Sequence, residues 1–253
     1  MSSLSVIVIT KNEAENIAEC LASAVWADEL IVVDAQSKDD TVQIAGRFTD
    51  QIYVVPWQGF AANKTIGLNH AHSEWILWLD ADERIPSELA EEMRALLLSQ
   101  PEENGFQISR KAFFLGRWIR HCGWYPGYVL RLFRRDQGRF SDRLVHEGVI
   151  VEGRCGRLRH SLEHYTDRDL EHYLAKFNHY TTLASRELVQ KGRRSGIAAI
   201  LLHPLHQFVK MYLLKRGFLD GVEGLMLCLL SANYVAAKYA KAWELSHCKN
   251  DKK

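Results

Sequence analysis

Several familiar signatures are missing from this 253-residue chain, and each absence argues against a class of protein. Its five cysteines are scattered, odd in number and without a C-x-x-C pair, which argues against a zinc site or a disulfide framework and fits a reducing cytosol. There is no G-x-G-x-x-G and no G-x-x-x-x-G-K-[ST], so neither a Rossmann cofactor loop nor a P-loop is indicated. The first residues lack the basic start of a signal peptide. The sequence contains no run of about 20 uninterrupted apolar residues, so no membrane span is predicted.

Basic residues are scarce in the first part of the chain, and acidic residues are fewer in the second. Residues 1–105 contain 6 Lys/Arg and 18 Asp/Glu, a net charge of −12, whereas residues 106–253 contain 26 and 13, a net charge of +13. This asymmetry indicates that the second half meets something anionic: phosphates, phospholipid head groups or nucleic acid. The alternative is ordinary variation of charge along a soluble chain.

What the sequence does contain is a regular alternation of apolar runs and amphipathic segments. Residues 4–10, 30–33, 52–55 and 75–79 are short apolar runs typical of buried strands, and segments with helical spacing separate them. This alternation predicts an α/β fold with a doubly wound, mostly parallel sheet. A helix from residue 87, two further strand-like segments and a helical C-terminal extension follow.

Acidic side chains are found where three of these predicted strands end. Asp80 and Asp82 follow the fourth strand at spacing i, i+2, Asp34 ends the second, and Glu13 comes just after the first. Open α/β sheets bind ligands in the crevice at the carboxyl ends of their strands. Paired carboxylates favour Mg²⁺ or Mn²⁺, which keep waters and are completed by substrate phosphates. The alternative for Asp80 and Asp82 is a solvated acidic turn before a helix.

The segments SVIVITKNE, LIVVDAQSKDDT and NKTIGLNHAHSEWILWLDADE resemble, in this order, the nucleotide-sugar half of GT-A fold, family-2-type inverting glycosyltransferases. The resemblance implies that Glu13 and Asp34 contact the ribose and base of the donor. It also implies that Asp80 and Asp82 hold a divalent metal on the donor diphosphate. Lys64 lies in a segment that approaches the nucleotide sugar in this family; the alternative is an exposed helix lysine.

The chemistry that this resemblance implies needs a base. In an inverting transfer, a carboxylate takes the proton from the acceptor hydroxyl as it attacks the anomeric carbon. The family supplies it downstream of the Asp-x-Asp pair, and Glu147 in Val145-His146-Glu147 is the best-placed candidate. His146 is a candidate ligand of the metal or the diphosphate, unless this strand simply turns a polar face to water. The Q-x-x-R-W signature of processive members is absent, which predicts the addition of a single sugar.

The cationic half also contains aromatic, arginine and histidine residues. The aromatic set suits stacking on sugar faces and the arginine set suits phosphate contacts, unless both only hold a loop over the sheet. The histidines are too loosely spaced for a zinc site and are interpreted as ordinary helix and loop residues. The three sets are Trp118, Trp124, Tyr125 and Tyr128; Arg117, Arg120 and Arg131; and His160, His164, His172 and His179.

The C-terminal extension includes the amphipathic segment IAAILLHPLHQFVKMYLLKRGF. Leu201, Leu205 and Phe208 fall on one helical face, and His203 and Lys210 fall on the other. The pattern is typical of a helix lying in a membrane interface with its cations near anionic head groups. The alternative is packing on the protein's own core or on a second subunit.

With YPGYVLRLFRR, LVHEG and the C-terminal run, the resemblance narrows to the bacterial heptose I β-1,4-glucosyltransferase group, which acts on the lipopolysaccharide inner core. It implies UDP-glucose as donor, a lipid A–core heptose as acceptor, no nucleic-acid partner, and a cytoplasmic enzyme peripheral on the inner membrane. We expect a GT-A catalytic domain over residues 1–160, with a nucleotide-sugar half (1–105) and an acceptor half (106–160). A helical, membrane-interface region is expected over residues 161–253.

Three rival functions share some of these features. Sugar transfer to a polyprenyl phosphate has the same fold and a membrane-surface acceptor. A nucleotidyltransferase would need a glycine-rich basic loop after the first strand, and TKNEAEN is not such a loop. A non-catalytic module that binds anionic lipid or nucleic acid would leave Asp34, Asp80 and Asp82 without a purpose.

Overall fold

The computed structural model describes residues 2–140, 148–167, 169–193 and 195–247. The chain divides into two units, Met1–Lys111 with Gly127–His164, and Ala112–Pro126 with Tyr165–Lys253. The expected division at residue 160 stays a prediction. Residues 112–126 group with residues 165–253 in the second unit.

The described elements alternate between strands and helices in the first part of the chain and become mainly helical at the end. The strands are β1 (Leu4–Thr10), β2 (Glu29–Asp34), β3 (Ile52–Val54), β4 (Trp75–Asp80), β5 (Glu83–Arg84), β6 (Gly105–Phe114), β7 (Arg117–Trp118), β8 (Gly127–Arg134), β9 (Gly138–Phe140), β10 (Val149–Val151) and β11 (Cys155–Asp167). The helices are α1 (Ile17–Ala22), α2 (Thr41–Ala45), α3 (Phe60–His70), α4 (Ser87–Leu98), α5 (Leu170–Gln190), α6 (Ile197–Val209) and α7 (Gly221–His247).

The main sheet has the strand order β3-β2-β1-β4-β8-β6-β11-β5, with β7 paired to β6. Strands β3, β2, β1 and β4 are parallel, as the four apolar runs predicted. Strand β8 then joins β4 antiparallel, β6 joins β8 antiparallel, and β5 joins β11 antiparallel. The α/β prediction is confirmed, and the sheet as a whole is mixed.

Strands β1, β2 and β4 are buried on both faces, which explains why their sequences are continuous apolar runs. Alternate residues of β1 enter opposite cores: Val6 and Val8 pack on one face, and Ile7 and Ile9 on the other. Helix α3 lies directly on the second face because it carries Gly67, where a Cβ would come 2.4 Å from Ile7 Cγ2.

One carboxylate joins four strands of the first unit. Glu29 opens β2 and accepts hydrogen bonds from the hydroxyl of Ser5 in β1, from the His72 N–H ahead of β4 at 2.9 Å, and from Gln51 Nε2 ahead of β3 at 3.2 Å. Burial alone would raise the pKa of Glu29, but these hydrogen bonds lower it to about 2. The ionised form is therefore the one that the fold stabilises.

We expect Glu29→Gln to lower the free energy of unfolding at neutral pH and to matter less in acid. The folded pKa of about 2 lies below the ordinary value of 4.5, so the stabilisation is fully present above pH 4.5 and is lost as the pH falls toward 2. Urea unfolding of the wild type and the variant at neutral pH and at about pH 3 measures this change. Glu91→Gln, at an exposed position, is the control. A difference between wild type and Glu29→Gln that stays constant with pH would contradict the argument.

The second unit has its own core, and a buried aspartate explains why residues 112–126 belong to it. The Asp220 carboxylate accepts hydrogen bonds from the main-chain N–H groups of Arg120 at 3.2 Å and His121 at 2.8 Å. Two helical segments, Ile197–Leu214 and Gly217–His247, are long and apolar enough to cross a membrane by length and composition, although neither is an uninterrupted apolar run. The core residues are Phe114, Ile119, Cys122, Met211, Leu227 and Cys228.

Candidate active site

Two predicted site residues end the strands on either side of β1. Asp34 is opposite Thr10 of β1, and Asp80 is opposite Ile9 on the other side. Neighbouring strands lie about 4.8 Å apart, so these two positions are separated by about 10 Å across the end of β1. The Thr10 hydroxyl is buried at this edge and has no hydrogen-bond partner among the described residues. The sequence interpretation did not include Thr10 in the site.

The loops after β1 and β2 are held together by side-chain hydrogen bonds. Asn12, with φ of 55°, donates its N–H to Ser37 Oγ at 2.8 Å. Ser37 in turn donates its N–H at 2.8 Å and its hydroxyl to the buried Asp34 carboxylate. Glu13, next to Asn12, accepts a hydrogen bond from Asn16 Nδ2 at 2.7 Å. The two residues predicted to contact the ribose and base therefore lie on connected loops.

Asp80 is paired with two cations. Lys64 Nζ in α3 is 3.7 Å from Oδ1, and Arg131 Nη2 in β8 is 2.9 Å from Oδ2. Lys64 is buried, which excludes the alternative of an exposed helix lysine. Burial alone would raise the pKa of Asp80, but the charges of Arg131 and Lys64 hold it well below its usual range. Asp80 is therefore ionised at physiological pH.

Arg131 and Glu83 form a buried ion pair beside the Asp-x-Asp pair. Arg131 is fully buried and donates through Nη2 to both Asp80 and Glu83, so it is bound to protein carboxylates and is not the open phosphate contact that its sequence suggested. Glu83 also accepts the main-chain N–H of Asp80 at 3.0 Å. The Trp78 ring centroid lies 3.5 Å from Arg131 Cζ and 3.6 Å from Lys64 Nζ. Together these contacts fix both the backbone and the side chain of Asp80.

Asp82 contacts a histidine that the sequence interpretation left outside the site. His164 lies opposite Glu83 in the β11–β5 pairing, and its Nε2 is 3.4 Å from Asp82 Oδ2. Burial alone would lower the pKa of His164, but the carboxylates of Asp82 and Glu83 raise it overall. No local spacing in the sequence indicates this contact, because it depends on a pairing between distant strands.

The donor set fits a divalent metal that is completed by its substrate. Asp80 and Asp82 offer the carboxylate oxygens that Mg²⁺ and Mn²⁺ prefer, and His164 adds an imidazole nitrogen beside Asp82. Within the described residues, no three His, Cys, Asp or Glu side chains already surround a point that could hold an ion. Mg²⁺ is usually bound by one or two carboxylates and completed by waters and substrate phosphates, so two carboxylates are enough for such a site. His146 and Glu147 fall in residues 141–147, outside the described part of the chain, and remain predictions.

A known protein family matches the part of the chain that contains this site. The family model described as Glycosyl transferase family 2 matches residues 5–165, more than half of the chain. The chain belongs to glycosyl transferase family 2. The predicted resemblance is thereby confirmed, and this family 2 glycosyltransferase carries its carboxylate pair inside the matched segment.

Two relatives cover nearly the whole of this family 2 glycosyltransferase. The lipopolysaccharide core biosynthesis glycosyltransferase LpsC of Rhizobium meliloti is 28% identical over 253 residues, which cover 95% of this chain and 92% of LpsC. A glycosyltransferase of Rickettsia felis is 27% identical over 244 residues, which cover 92% and 86% of the two chains.

A solved structure has the same fold. The crystal structure of residues 1–349 of S. aureus TarS in complex with UDP covers 98% of this chain and 92% of its own, with 17% identity and a TM-score of 0.50. With the family match, this confirms the GT-A fold with a helical extension.

Proposed function

We propose that this family 2 glycosyltransferase transfers one glucose from UDP-glucose to a heptose of the lipopolysaccharide inner core, with inversion at the anomeric carbon. The observation that carries the proposal is the position of Asp80 and Asp82 at the end of β4, across β1 from Asp34. The name of LpsC supports the acceptor class. The net charge of +13 in residues 106–253 suits a phosphorylated glycolipid at the cytosolic face of the inner membrane.

The residues around the Asp-x-Asp pair have proposed roles in holding the diphosphate of the donor. Asp80 and Asp82 would hold Mg²⁺ or Mn²⁺, with His164 and His146 as further candidate ligands. When bound, the metal supplies Lewis-acid charge and a template for the diphosphate. Lys64 adds a positive charge beside Asp80, where the departing diphosphate gains negative charge.

The proposed chemical step is a single in-line displacement. Glu147 takes the proton from the acceptor hydroxyl as the hydroxyl oxygen attacks the anomeric carbon. The bond between that carbon and the diphosphate oxygen breaks, and its electron pair leaves with UDP. Because attack and departure occur on opposite faces of the sugar, the configuration inverts.

Calorimetric binding of UDP-glucose, UDP-N-acetylglucosamine and GDP-mannose, each with Mn²⁺, Mg²⁺ or EDTA, tests the donor assignment. We expect binding that requires metal and favours UDP-glucose. Preference for another UDP-sugar would change the donor hexose and leave the site assignment intact. If no nucleotide sugar binds with either metal, the proposed function is wrong.

Glu147→Gln should leave the affinity for UDP-glucose unchanged and reduce turnover by about a hundredfold or more, the usual contribution of a general base. Gln keeps the size of the side chain but cannot accept the proton. Transfer of radiolabelled glucose and calorimetric donor binding provide the two measurements. Glu152→Gln, an exposed glutamate nearby in sequence, is the matched control. An unchanged turnover in Glu147→Gln would place the base elsewhere.

Transfer to a polyprenyl phosphate is the second candidate function. The exposed apolar residues of α6, such as Leu201 and Leu205, favour a membrane-held acceptor of either kind. The enzyme offered both acceptors, with radiolabelled UDP-glucose as donor, should label only the lipid A–core fraction. Label in the polyprenyl fraction would instead support the second candidate.

A further inference from the structure

The second unit has an exposed apolar surface that sugar transfer itself does not require. We call it the α6 surface, and it comprises the exposed large apolar side chains between residues 197 and 222. The four that belong to α6, between Ile197 and Leu205, are each at least 60% exposed. Soluble proteins rarely leave such a run of large apolar side chains open to water. The members are Ile197, Leu201, Leu202, Leu205, Leu213, Leu214, Phe218, Leu219 and Val222.

The exposed charges between residues 197 and 222 are all cationic, because Asp220, the one acidic residue of this range, is buried. Residues 188–219 contain six Lys/Arg and no Asp or Glu. Lys210, Lys215 and Arg216, which lie in the same stretch of the chain, are exposed. Apolar side chains accompanied only by cations are complementary to a bilayer with anionic head groups, because the leucines enter the acyl boundary while the cations stay with the phosphates.

Other side chains of the same segment contact helix α7 of the second unit. The His203 ring in α6 stacks on the Tyr239 ring in α7, with 4.7 Å between the centroids. Just before α6, Ser195 donates its hydroxyl to the Tyr239 carbonyl at 2.7 Å. Helix α6 is therefore held against α7 while its leucines stay exposed.

We propose that the α6 surface docks on an anionic phospholipid bilayer and lies in the plane of the interface. The proposal rests on the proposed function, since the lipid A–core acceptor is held in such a bilayer. Polar residues recur along Ile197–Leu214, including His203, His206, Gln207 and Lys210. A spanning helix needs about 20 predominantly apolar residues, whereas an interfacial helix combines an apolar face with a cationic one.

Vesicle sedimentation with the full chain tests the docking. The probes are vesicles of phosphatidylethanolamine with about a quarter phosphatidylglycerol, and vesicles of phosphatidylcholine alone. We expect the wild type to bind the anionic vesicles and not the neutral ones. The double variant Leu201→Glu with Leu205→Glu should lose at least about tenfold in binding, because it places two anions in the apolar face. Lys210→Gln with Lys215→Gln should lose roughly thirtyfold.

The control is Val25→Glu with Leu98→Glu, which introduces the same charges at similarly exposed apolar positions in the first unit. It should bind vesicles like the wild type. The docking proposal is overturned if the α6 double variant also sediments like the wild type. It is equally overturned if the wild type is a dimer without vesicle affinity and the α6 double variant is a monomer, because a second copy then covers the surface.

Two further measurements separate interfacial docking from membrane spanning and from the proposed function. Sodium carbonate should release the wild type from inner membranes; retention until detergent is added would show that the segment spans, and would overturn the proposal. Calorimetric binding of UDP-glucose should be equal in the wild type and the α6 double variant. Donor binding without vesicle binding would defeat only the docking, and vesicle binding without donor binding would defeat only the proposed function.

Discussion

Asp82→Ala should abolish sugar transfer and metal-dependent donor binding together. Asp82 is the member of the Asp-x-Asp pair whose carboxylate faces His164 and has no arginine or lysine partner among the described ion pairs. Its loss should therefore remove the proposed metal ligand without leaving a buried arginine or lysine unpaired. We expect transfer to fall by about a thousandfold or more, or about 4 kcal/mol in transition-state stabilisation.

The measurements for Asp82→Ala are glucose transfer and calorimetric binding of UDP-glucose with and without Mn²⁺. Asp136→Ala, at an exposed position just after β8, is the matched control and should behave like the wild type. Circular dichroism checks that both variants fold. Normal transfer by Asp82→Ala would show that this carboxylate does not hold the metal.

Arg131→Met should destabilise the first unit by about 3–5 kcal/mol, the cost of leaving buried charge without its partner. Glu83, which is fully buried, and Asp80 would both lose their nearer cation. Glu83 would keep Arg110 at 3.8 Å, and Asp80 would keep Lys64 at 3.7 Å. Burial already raises the pKa of Glu83, and the charge of Asp80 raises it further, while Arg131 opposes both. Without Arg131, the folded protein should hold a proton on Glu83 more tightly than the unfolded chain does. The deficit should therefore grow as the pH rises and shrink as it falls.

Urea unfolding over a range of pH measures the loss, and a second variant identifies its cause. Arg131→Met with Glu83→Gln removes both charges and should recover much of the lost stability, because a neutral amide does not need the cation. Arg131→Lys keeps the charge without the planar fork and should fall between wild type and Arg131→Met. If the double variant is as unstable as Arg131→Met, lost packing against Trp78 is the cause rather than the unpaired carboxylate.

The parallel half of the sheet could be predicted from the sequence because its signals are local. Apolar runs indicate the strands, and the carboxylates that follow them indicate the sheet edge on which Asp34 and Asp80 lie. Arg131 and His164 could not be placed in the same way. They reach Asp80 and Asp82 through the pairings of β8 with β4 and of β11 with β5, and such distant pairings leave no spacing to detect. Glu83 is next to Asp82 in the sequence, but only the fold shows that it is buried and forms an ion pair with Arg131.

The pairing of Asp80 with Lys64 and Arg131 also bears on the order in which the enzyme is loaded. A divalent ion that arrives alone must compete with two cations already paired with this carboxylate. It brings no negative charge that could pair with Lys64 or Arg131 in place of Asp80. An ion that arrives bound to a nucleotide diphosphate brings phosphate oxygens whose negative charge can pair with Lys64 in place of Asp80. The donor and its ion are therefore expected to enter as one complex and UDP to leave with the ion, so that the resting enzyme does not collect free ions between turnovers.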